Sequence, residues 1–218
     1  MDASPVEHFP ALSALPGIQH AFTLRQPGLD VQVDREEALQ RLAAHHRAVL
    51  ADARFSRKKL VTATQVHGAA VAIVDRADGP VPVGDFDGLI TALTDVVLGI
   101  YVADCGAVYI VDPVKRVIAL LHSGKKGTEQ GIARVAIEKM RDTFGCNPAN
   151  LVVQLSPCIR PPHYDPDFAA EILAQCRRAG VCQVHDSGHC TGSDLQRYYS
   201  YRIEKGRTGR MLALLALD

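Results

Sequence analysis

Three short, almost unbroken apolar runs occupy the middle of the chain, and only a sheet buried on both faces accommodates them. Residues 96–102 read Val-Val-Leu-Gly-Ile-Tyr-Val, and residues 107–111 and 117–121 follow closely. A half-solvated strand would alternate apolar with polar, whereas these are continuous. Asp112-Pro113-Val114-Lys115 lies between the second run and the third and has turn chemistry, so those two are expected to form a hairpin. Further strands are expected over 18–25, 60–64, 70–74, 151–155, 181–184 and 211–217. Helical patterns cover 34–51, about 128–144 and 167–179. The first has Asp34 as its N-cap with Glu37 three residues on, and the last stops at Gly180. Residues 78–84, rich in Gly and Pro, are expected to be a loop. Strands outnumber helices and many are adjacent, which favours an α+β domain with a mixed sheet over a doubly wound parallel one.

The chain has 218 residues, enough for one large domain with its own core. A single domain over 1–218 is expected, with 1–17 as an irregular N-terminal segment. Lys+Arg and Asp+Glu both number 24, a balance that gives no support for nucleic acid or an anionic membrane as the main partner. Residues 1–19 are polar and Pro-interrupted, without the apolar stretch of a signal peptide. No apolar run approaches the length of a transmembrane helix. The six cysteines include no Cys-x-x-Cys pair and, with no secretion signal, read as reduced thiols of a cytoplasmic protein. No feature of the sequence fixes an oligomeric state.

Chemistry-bearing residues stand at the ends of the apolar runs: His67 in Gln65-Val66-His67-Gly68, Cys105 after Asp104, and His122. Alone, each has a plain structural reading, as a hydrogen-bonded histidine or an inert thiol. Together, two imidazoles and a thiolate suit zinc, and catalytic zinc sites use three protein ligands and keep a fourth position open. The spacing is too wide for a zinc finger, so the fold would have to assemble the site. Without a metal, the same residues read as a cysteine nucleophile with His122 or His67 as its base. After His122, the loop Ser123-Gly124-Lys125-Lys126-Gly127-Thr128 leads into a helix. Its lysines and backbone amides suit an anion, although the order of a Walker A loop is absent. His45 and His46 are expected to face solvent in part. His163, His185 and His189, with Cys158, Cys182 and Cys190, form a weaker second group of ligand types. Arg202, Lys205, Arg207 and Arg210 are expected to be mostly a solvated cationic face.

The order of motifs resembles a known family. It runs Gln-Val-His-Gly, Ala-Asp-Cys, a strand ending in His-x-Gly-x-x-Gly, Pro-Cys-Ile with a nearby Tyr-Asp, Cys-Thr, then Ser-Tyr-Arg and Thr-Gly-Arg. This is similar to the laccase-domain family, also called the polyphenol oxidase or multicopper polyphenol oxidoreductase family, whose members are now described as purine nucleoside phosphorylases. The likeness runs over 18–217. It implies a four-layer α/β/β/α sandwich with mixed sheets. It also implies a zinc ion on His67, Cys105 and His122, and phosphorolysis of purine nucleosides or deamination of adenosine. The resemblance places Arg25 at the site and Gln65 and Asp104 beside the ligands. Asp104 becomes a candidate for proton transfer, and Lys125, Lys126 and Arg25 candidates to hold phosphate.

Departures from the family are local. Its His-Ala-Gly-Trp-Arg-Gly loop is here His122-Ser123-Gly124-Lys125-Lys126-Gly127, which replaces a ring-packing tryptophan and a phosphate-forking arginine. Lysine keeps the charge but not the planar fork. The Asn-Leu-Gly segment after the N-terminal arginine is missing, and Ile-Gly-Pro-Cys has become Leu155-Ser156-Pro157-Cys158. The older family label implies a copper-dependent phenol oxidase, which needs several coppers on close-set His-x-His pairs. Nine histidines with no His-x-His motif favour zinc over copper. The altered loop also admits a binding homologue that has lost catalysis.

Overall fold

A computed structural model describes residues 5–79 and 81–218. The first sheet contains β1 (Val6–Glu7), β2 (Ile18–Thr23), β3 (Lys59–Val61), β6 (Val96–Val102) and β11 (Met211–Leu217), in the order β1-β2-β11-β6-β3. The second contains β4 (Val71–Ile73), β5 (Gly88–Thr91), β7 (Gly106–Asp112), β8 (Val117–Ser123), β9 (Val152–Leu155) and β10 (Gln183–Asp186), in the order β10-β9-β7-β8-β5-β4. Both sheets are mixed. β3 runs parallel to β6, and the second sheet has a parallel pair at each edge around an antiparallel centre.

The two sheets pack face to face. Leu98, Ile100 and Val102 of β6 and Met211, Ala213 and Leu215 of β11 share a core with Tyr109, Ile118 and Leu120. Residues of the opposite parity point outward and are buried too. Val97, Leu212 and Leu214 pack under Val49 of α2 (Arg35–Leu50) and Phe55. Val108, Ile110 and Leu121 pack under Ile132, Ala136 and Met140 of α4 (Ile132–Phe144) and Ile172 of α5 (Phe168–Arg178). Helix, sheet, sheet and helix therefore form the expected four α/β/β/α layers, and the apolar runs are continuous because both faces are covered. The Tyr109 hydroxyl, fully buried between the sheets, donates to the Ala21 carbonyl at 3.0 Å. Among the described residues, no helix is long and apolar enough to cross a membrane.

Four expectations need correction. The segment 1–17 is not wholly irregular: Val6–Glu7 pairs with β2, and α1 (Pro10–Ser13) buries Leu12 completely, while residues 1–4 lie outside the described residues. The helix expected from about 128 to 144 is two helices, α3 (Lys125–Glu129) and α4, separated at Gly131 with φ 76°. The strand expected at 181–184 is displaced to β10, because Val181 is buried in the cluster under α5. His46 does not face solvent but lies buried with its ring 5.6 Å from that of Tyr101.

The break at Gly131 positions α3 beside the end of β8, and only glycine adopts that left-handed geometry without strain. Gly131→Ala is expected to destabilise the protein by about 1 kcal/mol, read as a lower urea midpoint. An unchanged or raised midpoint would mean that α3 and α4 can merge at no cost.

Candidate active site

The β7–β8 hairpin sets the first two site residues side by side. Asp112 Oδ1 accepts from the amides of Val114 and Lys115, which closes the turn. The register then pairs Gly106 with Ser123 and Ala107 with His122. Cys105, one residue ahead of β7, therefore lies against the His122 end of β8. A Cβ at Gly124 would sit 2.5 Å from Cys105 Sγ, so glycine is required there. His67 arrives from the turn between β3 and β4, with φ 63°. One ligand atom from each of His67, Cys105 and His122 lies within 4.8 Å of the other two. The imidazole rings of His67 and His122 are 4.8 Å apart and nearly perpendicular.

Asp87, at the head of β5, organises this cluster. Its carboxylate is fully buried and accepts four hydrogen bonds. Oδ1 takes the His67 amide at 3.0 Å and His122 Nδ1 at 2.8 Å, and Oδ2 takes the Gly68 amide at 2.7 Å and the Val66 amide at 3.2 Å. One side chain thus fixes the His67 turn and the orientation of the His122 ring. Because Nδ1 is engaged by Asp87, Nε2 of His122 is the nitrogen left for a ligand, the arrangement that metal-binding histidines usually have.

Charge follows from this packing. Burial opposes ionisation of Asp87, yet the His122 ring and the His67 and Gly68 amides outweigh it and hold the carboxyl below its ordinary range. Burial also works against a charged His122, but Cys105 and Asp87 raise it to about 9. Cys105 is the mirror case: burial would raise its thiol, and His122 and then His67 bring it down to about 6. Thiolate and imidazoles in contact form a donor set that a divalent cation such as zinc fits, the metal taking the place of the shared proton.

The cluster opens on a cavity of 1090 Å³. Tyr101, Tyr164, Phe168 and Tyr201 supply aromatic rings to its wall, and Arg35, Lys125, Arg202, Lys205, Arg207 and Arg210 supply cations. Large volume, apolar rings and a few convergent polar groups are the marks of a small-molecule site.

A family model described as multi-copper polyphenol oxidoreductase laccase matches residues 20–175 and 162–218. The chain belongs to this family. It is 32% identical over 234 residues to a purine nucleoside phosphorylase of Deinococcus radiodurans, covering 92% of this chain and 89% of that protein. It is 31% identical over 186 residues to a purine nucleoside phosphorylase of Streptomyces coelicolor, covering 73% and 76%. Among solved structures, YlmD from Geobacillus stearothermophilus superposes with a TM-score of 0.80 at 24% identity, covering 96% of this chain and 94% of that one. The hypothetical protein YfiH of Bacillus licheniformis gives 0.83 at 21%, covering 99% and 100%. These superpositions show that the chain shares the fold of YlmD and YfiH.

The other residues singled out from the sequence have separate fates in this laccase-family chain. Gln65 lines the cavity, its side-chain amide bonded both ways to the Tyr101 backbone, at 2.7 and 3.0 Å. Asp104 also lines it, with φ 79°. Its carboxylate accepts from Thr191 Oγ1 and the Arg202 amide, both at 2.6 Å, and burial pushes its pKa up. Lys125 is on the wall, while Lys126 is exposed and not among the lining residues. Arg25 is not among them either. It stacks on Tyr199 at 4.4 Å and pairs with Glu204 at 2.7 Å. Arg202, Lys205 and Arg207 are exposed, as expected of a solvated cationic face, whereas Arg210 is buried, and all four line the cavity. Of the second ligand group, His163 Nδ1 lies 3.6 Å from Cys190 Sγ. Among the described residues, only His67, Cys105 and His122 form a group of three or more. Asp87 was missed from the sequence, where its only signal is an acid directly before a short apolar run.

Proposed function

We propose that this laccase-family chain is a cytoplasmic purine nucleoside phosphorylase with a zinc centre on His67, Cys105 and His122, and that the same cavity deaminates adenosine. The observation that carries the reading is the three-ligand cluster opening onto a cavity walled by aromatic rings and cations. Relatives named purine nucleoside phosphorylase support it. In phosphorolysis, a phosphate oxygen bonds to C1′ of the ribose as the N-glycosidic bond breaks, and the base leaves with that electron pair and takes up a proton. The cations of the wall hold the phosphate and offset charge at the sugar. Tyr164, Phe168 and Tyr201 take the place of the family's loop tryptophan as surfaces for the purine. Asp104, on the cavity wall, is the group that exchanges a proton with the departing base. Gln65 holds the Tyr101 backbone. Arg25 acts at one remove through Glu204, which accepts from the Ser200 amide and from Thr208 and so anchors the segment carrying the tail cations. Zinc at the cluster would supply a Lewis acid, the chemistry that activates water for deamination.

Copper-dependent phenol oxidation needs several metal groups, and one group of three ligands is what the described residues bring together. All six cysteines are free, as in a reducing compartment. The test is product analysis on inosine and adenosine, with and without orthophosphate, alongside elemental analysis. Phosphate-dependent release of hypoxanthine from inosine and about one zinc per chain are expected. Phosphate-independent conversion of adenosine to inosine would register the deamination. Zinc-loaded protein that turns over neither nucleoside would sink the reading. Zinc-free protein whose Cys105 is labelled stoichiometrically by iodoacetamide would shift it to a cysteine hydrolase.

A further inference from the structure

The cavity has two unlike walls. Ile159, Tyr164 and Phe168 extend from the apolar cluster on the outer face of the second sheet. Across from them, Tyr101 packs on the outer face of the first sheet, and the first turn of α2 brings Asp34, Arg35 and Glu37. Arg210, the residue before β11, joins this second wall. Its charge and that of Arg35 act on each other, and burial followed by that repulsion lowers the Arg210 guanidinium from the usual arginine range.

Asp104 and Cys105 act on Arg210 with the opposite sign, but neither arginine has a direct ion-pair partner among the described residues. Asp34 Oδ1 is engaged as the N-cap of α2, accepting from the Glu37 amide at 3.0 Å. Glu37 is paired with Arg41 at 2.5 Å. Arg210 is only 8% exposed, and its Nη1 donates to the carbonyls of Thr208 and Gly209 at 2.8 and 2.9 Å. Among the described residues, no hydrogen bond uses its Nε or Nη2. A fixed guanidinium with donors to spare, lining the same cavity as a second, exposed guanidinium, suits the forked binding of an oxyanion.

We propose that Arg35 and Arg210 form the seat for a phosphoryl group in this cavity, in place of the loop lysines. Lys126 is outside the lining, and Lys125 is a single flexible charge with Glu129 at 3.9 Å. Arg202 lies over the Tyr164 ring at 5.7 Å, on the other wall. The seat's place in the reaction rests on the phosphorylase reading. Its existence does not. A phosphoryl group could come from free orthophosphate or from a nucleoside 5′-phosphate, and the chemistry of the seat is the same for both.

The test is calorimetric titration of the metal-retaining protein with orthophosphate, and separately with inosine 5′-monophosphate. Wild type, Arg35→Gln, Arg210→Lys, Lys125→Gln and Arg134→Gln are compared. Arg35 is exposed, so its glutamine variant leaves the packing in place. Orthophosphate binding is expected to weaken by at least about tenfold in Arg35→Gln and Arg210→Lys, to weaken less in Lys125→Gln, and to change little in Arg134→Gln. The same pattern for inosine 5′-monophosphate alone, with orthophosphate unbound, would support the seat and assign it to a substrate-borne phosphate. Binding of both probes unaltered by Arg35→Gln and Arg210→Lys, or lost only in Lys125→Gln, would overturn it. Turnover of nucleosides without Arg35-dependent binding would keep the phosphorylase reading and remove the seat. Arg35-dependent binding without turnover would do the reverse.

Discussion

Asparagine at position 87 will lower stability and metal affinity together. Both oxygens of Asp87 face donors: Oδ1 meets the His67 amide and His122 Nδ1, and Oδ2 meets the Val66 and Gly68 amides. A carboxamide is nearly isosteric but presents an NH₂ on one side. Whichever way it turns, two donors are left facing a donor in a fully buried place. The expected loss is about 2–4 kcal/mol of folding stability, measured by urea unfolding of chelator-treated protein. Metal affinity is expected to drop by roughly 10–100-fold, because His122 loses its orienting partner and the turn presenting His67 loosens. Elemental analysis after dialysis against graded chelator measures that. Asp87→Asn protein with the wild-type urea midpoint and full metal would remove Asp87 from the account of the site.

Asp87 also marks where reading the sequence stops. The central strands and the two candidate ligands at the open end of the β7–β8 hairpin are legible because their signals are local: continuous apolar runs, an Asp-Pro turn, and polar residues at strand ends. Asp87 has no such signal, since its role arises only when β5 pairs with β8 and the β3–β4 turn folds over it. Arg25 shows the same limit in the other direction. Its motif points to the site, but a glutamate 179 residues away captures the guanidinium. The tail cations have no helical or strand periodicity, so nothing in their order shows that they line a cavity. The α3–α4 break was read through because helix-compatible residues continue past Gly131, and one left-handed glycine outweighs that pattern. The histidine pair on α2 has no sequence signal for burial, whereas His46 packs out of solvent beside Tyr101.

Alanine at Cys105 is expected to abolish metal binding and turnover while leaving the fold in place. Cys105 is half-buried just before β7, and the pairing of Gly106 with Ser123 does not depend on its side chain. Two imidazoles alone make a weak site, so zinc should fall from about one per chain to background. The thermal midpoint of metal-free mutant and metal-free wild type serves as the control for folding. The thiol can also be followed directly in metal-stripped wild type. Its pKa is brought down to about 6 by His122 and His67 against the opposing effect of burial. The thiolate is the form that alkylates, so the iodoacetamide rate should rise as pH climbs through 6 and then level off, whereas an ordinary thiol keeps gaining up to about 8.5. Replacing His122 with glutamine removes the stronger of the two stabilising neighbours and should move that midpoint upward. Zinc added back should protect Cys105 in wild type and fail to do so in the Asp87→Asn protein at limiting metal. A midpoint near that of a free thiol would show that the imidazoles do not bear on Cys105. A Cys105→Ala protein with full zinc and full turnover would place both the metal and the chemistry elsewhere in the molecule.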